Sequence, residues 1–147
     1  MSARCFRSLM LGLVATLAAC APGSSVTPAG DAASHNLAPK AGGGVVYVIR
    51  GLDAVVLAGA PVQLDGQPVA SLRRYDYVRL DVPPGQHRIT CNAADTQHLV
   101  EVQPGQTAFI EVLLHVGWMA PRCELRTLDD LNGRTRVMEG KRVGPQP

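Results

Sequence analysis

The chain has 147 residues, of which 46% are apolar, 18% charged and only 4% aromatic. That length holds one domain with appendages, and it excludes a two-domain enzyme or a multi-span membrane protein. Fourteen Lys and Arg stand against twelve Asp and Glu, but Arg4 and Arg7 lie at the extreme N-terminus; the remainder is balanced, which removes the electrostatic case for nucleic acid or acidic substrates.

Residues 1–20 read MSARCFRSLMLGLVATLAAC. Basic Arg4 and Arg7 lead into an apolar run, Leu9 to Leu17, that closes on Ala18, Ala19 and Cys20. A positive start, an apolar helix and a small-residue close make a secretory signal. The run is far shorter than the roughly 20 residues that span hydrocarbon, so a permanent transmembrane helix is not expected. The ending Leu17-Ala18-Ala19-Cys20 resembles the lipobox of bacterial lipoproteins. The resemblance implies removal of residues 1–19, a diacylglycerol on the Cys20 thiol and a further acyl chain, such as palmitate, on the new amino group. The membrane is then a partner, because two or three acyl chains hold a bilayer where one binds only marginally. In such lipoproteins an Asp after the lipidated Cys commonly signals retention at the inner membrane; here Ala21 stands there, which favours the periplasmic face of a Gram-negative outer membrane. The alternative is an ordinary signal peptide with Cys20 incidental. Cys5 falls in the removed segment.

Residues 20–44 are Ala-, Pro-, Gly- and Ser-rich with no apolar period. Such a stretch buries too little to offset its chain entropy and is expected to be a flexible tether with a reach on the order of 25 Å. His35 belongs to it and needs no role.

From Val45 to Leu128 short runs of Val, Leu and Ile alternate with turn signals. Val45 to Arg50 is apolar on both faces, which predicts a central strand. Ala54 to Leu57 is a second short extended piece. Pro61 to Leu64 and Gln67 to Leu72 flank Asp65-Gly66, the preferred pair for a type I′ hairpin, which puts Pro68 on an edge strand or at a bulge. Tyr75 to Val82 alternates, with Val78, Leu80 and Val82 inward and Tyr77, Arg79 and Asp81 outward. His87 to Cys91 returns, a loop spans Asn92 to Gln97, and His98 to Val102 follows with Val100 and Val102 inward. Thr107 to Val116 is the longest strand, its inner set Ile110, Val112, Leu114 and Val116. Cys123 to Leu128 is the last. No window shows helical spacing, and residues 129–147 read as a polar tail that frays. Seven or eight such strands predict an all-β fold, a small antiparallel β-sandwich over residues 45–128.

One frame recurs at an offset of twenty: Leu80-Asp81-Val82-Pro83-Pro84-Gly85-Gln86 and Val100-Glu101-Val102-Gln103-Pro104-Gly105-Gln106. Pro presets φ and Gly accepts a positive φ, so both read as type II turns of two similar hairpins. Together with Gly44-Val45-Val46-Tyr47-Val48-Ile49-Arg50, Val62-x-Leu64-Asp65-Gly66 and Tyr77-x-x-Leu80-x-Val82-Pro83-Pro84-Gly85-x-His87, these motifs resemble a bacterial lipoprotein domain of unknown function that is similar to PEGA-type surface β-sandwiches. The resemblance covers about residues 44–128 and implies a fold, with no catalytic residues to carry over. Cys91 and Cys123 depart from its pattern.

In an exported chain those two cysteines can form a disulfide, closing a loop of 32 positions; two free, buried thiols are the alternative. No Cys-x-x-Cys or spaced His pair suggests zinc, and no cofactor is implied. Cys91 and His87, two apart on one strand face, could make a nucleophile pair, although a core-facing Cys beside Ile89 is more often structural. Asp129-Asp130 reads as a solvated turn. The stronger functional hint is Arg73, Arg74, Tyr75, Tyr77 and Arg79 in one segment, with Trp118 and Met119 in a later loop: these types dominate binding hot spots. Against it, Tyr47, Tyr77 and Trp118 could simply complete a core poor in Phe. The expectation is a lipid-anchored, non-enzymatic binding or accessory module of the envelope, whose partner is another envelope protein or the cell wall. A surface adhesin or glycan-binding module, or a small envelope enzyme near His87 and Cys91, are the alternatives.

Overall fold

A computed structural model describes residues 36–51, 58–91, 93–119 and 121–144. Among these residues the strands are β1 (Gly44–Arg50), β2 (Ala60–Leu64), β3 (Gln67–Leu72), β4 (Asp76–Val82), β5 (Gly85–Cys91), β6 (Ala93–Val102), β7 (Thr107–His115), β8 (Arg122–Leu128) and β9 (Lys141–Arg142), with one helix, α1 (Asp130–Glu139). They make two sheets, in the orders β8-β7-β1-β4-β9 and β3-β2-β5-β6. The all-β sandwich follows from the sequence pattern, but it is not purely antiparallel: β1 runs parallel to β7, and β9 parallel to β4.

β1 sits in the middle of the five-stranded sheet and is buried along its whole length. Its alternate residues feed two separate cores. Val46 and Val48 join Val78, Leu80, Ile110 and Val112 against Val62, Leu72, Ile89 and Val102 of the second sheet. Val45, Tyr47 and Ile49 point the other way, where Tyr77, Phe109, Leu37 and Val137 cover them. Every residue of both cores lies between Leu37 and Val143.

The second core exists because both flanks of the domain fold onto the outer face. The segment from Asp129 is not a fraying tail: Asp129 caps α1 by accepting the Asn132 N–H at 2.9 Å, and β9 extends the sheet after it. α1 touches the sheet through Gly133 and Val137, one turn apart. A Cβ on Gly133 would stand 2.2 Å from Cγ of Phe109, so only glycine lets the helix lie this close. One Gly and one Val leave no apolar period to read. The last residues of the expected tether are also docked, with Leu37 buried and its carbonyl accepting the Thr107 hydroxyl at 3.0 Å. Tyr77, expected outward on a half-exposed face, is therefore fully buried.

The Asp65-Gly66 turn has φ of 50° and 83°, as a type I′ hairpin requires. Pro68 lies on edge strand β3, opposite Gln63 where the register shifts. The two repeated Pro-Gly frames are not hairpins. β4 to β5 and β6 to β7 both pass from one sheet to the other, and the proline, with no N–H to give a ladder, marks where each strand leaves its sheet. They also differ in turn type. Gly105 has φ 76° and Gln103 O accepts the Gln106 N–H at 3.0 Å, a type II turn, whereas Gly85 has φ 138°. The expected loop over 92–97 is mostly strand, since β6 begins at Ala93. β7 ends at His115, and Val116, expected inward, is exposed. The extended piece expected at Ala54–Leu57 lies outside the described residues, as do the signal, Cys20 and most of the tether.

The register defines two ends. Gly44 pairs with Val82 and Val45 with Thr107 at the near end, where the N-terminal segment joins. Asp76 pairs with Lys141 and His115 with Arg122 at the far end. At about 3.3 Å per residue, β7 separates the two by roughly 25 Å.

Candidate functional site

Cys91 and Cys123 are joined, their Cα atoms 6.1 Å apart. Cys91 ends β5 in one sheet and Cys123 begins β8 in the other, so the bridge staples the sandwich at its far end. This consumes the thiol of the conceivable Cys–His pair.

His87 is also committed. It is buried, its Nδ1 lies 2.8 Å from Asp65 Oδ2, and its Nε2 lies 2.9 Å from the Pro83 carbonyl. Both partners are acceptors, so the arrangement favours the doubly protonated ring, the imidazolium. Burial disfavours that charge, but the hydrogen bonds to Asp65 and Pro83 and the carboxylates of Asp65 and Glu101 outweigh it and raise the His87 pKa. Asp65 is lowered in turn: its slight burial works the other way, but the Arg88 N–H at 2.8 Å and His87 hold it ionised. A recess of about 210 Å³ lies beside this clasp, lined by Asp65, Gln86, His87, Arg88 and Leu99. Among the described residues no group of three or more His, Cys, Asp or Glu side chains could hold a metal ion.

The structure splits the expected binding cluster. Tyr77 is core, tilted against Tyr47 at 6.0 Å between ring centres. Arg79 is tied down, donating to the carbonyls of Asn36 and Ala38 at 3.1 and 2.9 Å, to Tyr47 Oη at 3.2 Å and to Asp81 at 2.9 Å. Burial of the Tyr47 phenol raises its pKa, against the opposing pull of Arg79. Neither side chain is available to a partner.

Arg73, Arg74, Tyr75 and Trp118 remain on the surface, and all four lie at the far end. The β3–β4 connection carries the first three, and the β7–β8 hairpin loop carries Trp118. Trp118 and Met119 are essentially fully exposed, at 101% and 93%, with Val116 at 68% beside them. Tyr75 holds φ 66°, a left-handed conformation that a bulky residue adopts at a cost, and its ring lies beneath Arg74 at 6.0 Å. Arg122 and Lys141 join this end through the register with His115 and Asp76. Their distance in sequence from residues 73–75 hides this, and nothing in the one-dimensional pattern marks them. Among the described residues no carboxylate forms an ion pair with Arg73, Arg122 or Lys141.

A buried carboxylate lies elsewhere among the described residues. Glu111, 1% exposed on the outer face of β7, accepts from Nε of Arg126 at 2.7 Å and from its Nη2, while Arg136 of α1 approaches Oε1 at 3.8 Å. This arrangement ties β8 and α1 to the sheet. No family model matches this chain, and no curated protein is similar to it.

Proposed function

We propose that this chain is an exported bacterial lipoprotein, acylated at Cys20, whose sandwich is a non-enzymatic binding or accessory module held at the periplasmic face of the outer membrane. One observation carries the reading: Leu17-Ala18-Ala19-Cys20 closes an apolar run behind two arginines. Three more support it. The apolar run is too short to stay as a span. Among the described residues no helix is long and apolar enough to cross a membrane. Cys91 is oxidised and His87 is doubly hydrogen-bonded, so the pair that could have supported an envelope enzyme has no nucleophile and no base to offer.

Metabolic labelling with palmitate tests the anchor. The parent chain takes up label and pellets with membranes; Cys20→Ala accumulates as an unlabelled precursor. Normal maturation and membrane pelleting of that variant would defeat the anchor. Exposed Trp118 also suits a glycan-binding adhesin on the cell surface; a chain left whole when intact cells are shaved with protease removes that reading.

A further inference from the structure

We propose that the far end of the sandwich docks on an anionic lipid bilayer, with Trp118 and Met119 entering the headgroup layer and Arg73, Arg122 and Lys141 meeting lipid phosphates. This goes beyond acylation at Cys20 and does not depend on it.

Two observations carry it. First, the apolar side chains stand on a protruding hairpin loop instead of lining a groove. Val116, Trp118 and Met119 are exposed by two-thirds or more, and α1 ends at the same end with Met138 57% exposed. A protein partner would have to bring its own cavity to such a tip, whereas a bilayer accepts a convex one. Tryptophan is the residue that settles best at headgroup depth, its ring apolar and its N–H wet.

Second, the charges are sorted along the strand axis. Arg73, Arg122 and Lys141 have no carboxylate in ion-pair range among the described residues. Of the far-end acids, Asp76 accepts the Arg73 N–H at 2.8 Å and Glu124 meets His115 at 2.8 Å, which leaves exposed Glu139 as a carboxylate there with no partner among the described residues. Exposed Asp81, Glu101, Asp129 and Asp130 lie at the opposite end. An anionic surface attracts the far end, while Lys40, Arg79 and Arg134 offset acids at the near end, and this difference orients the domain before any contact forms.

The test uses residues 20–147 with Cys20→Ser, which contain both cores entire and carry no acyl chain. Trp118 is the only tryptophan, so its emission reports this loop alone. With vesicles of phosphatidylglycerol and phosphatidylcholine, the emission moves to the blue and the protein co-sediments; phosphatidylcholine alone gives neither. Trp118→Ala weakens co-sedimentation by on the order of tenfold. Arg73→Ser and Arg122→Ser each weaken it roughly fivefold, and high salt does the same. Arg134→Ser, at the near end, binds like the parent. The proposal is overturned by unchanged emission with anionic vesicles, by equal binding to neutral ones, or by equal loss in Arg134→Ser. It is overturned as well if the blue shift grows with protein concentration in the absence of lipid, which would make the occupant a second copy of the chain. Because the probe lacks the acyl chains, failure here leaves the palmitate experiment untouched.

Discussion

At the near end, Lys40 and Arg79 meet Asp81, His87 meets Asp65, and Arg134 meets Asp130. At the far end, Arg73, Arg122 and Lys141 face water without a carboxylate among the described residues, and Trp118 and Met119 stand beside them. The two ends are also fastened differently. Both Pro-Gly crossings join the sheets at the near end, while at the far end the Cys91–Cys123 bond adds a covalent link to the β3–β4 crossing. Where side chains neutralise one another, they serve the fold. Where a covalent bond adds to the fastening, the surrounding side chains are released for an outside surface.

The largest expected effect breaks the far end. Reduction, or Cys91→Ser with Cys123→Ser, removes a link across 32 positions and costs about 3–4 kcal/mol on the chain-entropy account. The measurement is the denaturant midpoint of oxidised and reduced protein. Equal midpoints would mean that packing and the chain crossings hold the two sheets without the bond.

A smaller effect sharpens the contrast. Near-end turns place Asp65, Gly66 and Gly105 at positive φ, residues that tolerate it, whereas the far end places Tyr75 there. Tyr75→Gly is expected to raise stability by about 1 kcal/mol, because the left-handed penalty is relieved and the side chain is half exposed. A thermal melt showing marked loss instead would mean that the Tyr75 ring under Arg74 does structural work that outweighs the strain.

The smallest effect belongs to the near-end clasp and depends on pH. The folded pKa of His87 is raised above 6.5, so its contribution is complete below that pH and is lost as pH rises through the raised value. The folded pKa of Asp65 is lowered below 3.8, so its contribution is present above that pH and is lost as pH falls through the lowered value. The clasp is therefore tightest between about pH 3.8 and 6.5. His87→Gln, which retains a donor for Pro83 but no charge, should flatten the decline on the alkaline side. Chemical denaturation across neutral pH reads this directly, and an unchanged slope would assign the decline to another group.

Much of this architecture was legible because it is written locally. Two-faced apolarity announced β1 as central, Asp65-Gly66 announced its turn, and Pro68 announced an edge. The rest depends on partners distant in the chain. The Pro-Gly frames reveal a bend, but which sheet the strand enters afterwards is decided by pairings tens of residues away, so two crossings looked like two hairpins. α1 was hidden because its contact with the sheet is one glycine fitted against Phe109 and one valine; the acid at Asp129 with Asn132 three residues later was the available sign. For the same reason Tyr77 and Arg79 read as surface: the segments that cover them come from opposite ends of the sequence. Of the expected binding cluster only Arg73, Arg74, Tyr75 and Trp118 survived, since proximity along one strand says nothing about which face is roofed over.

The placement of β1 has a consequence in time. β1, the first in chain order of the described strands, lies between β4 and β7, and its parallel neighbour is about sixty residues younger. A ribosome therefore delivers most of the chain before this sheet can assemble, and refolding should take milliseconds to seconds, the regime of long-range β pairing, rather than microseconds.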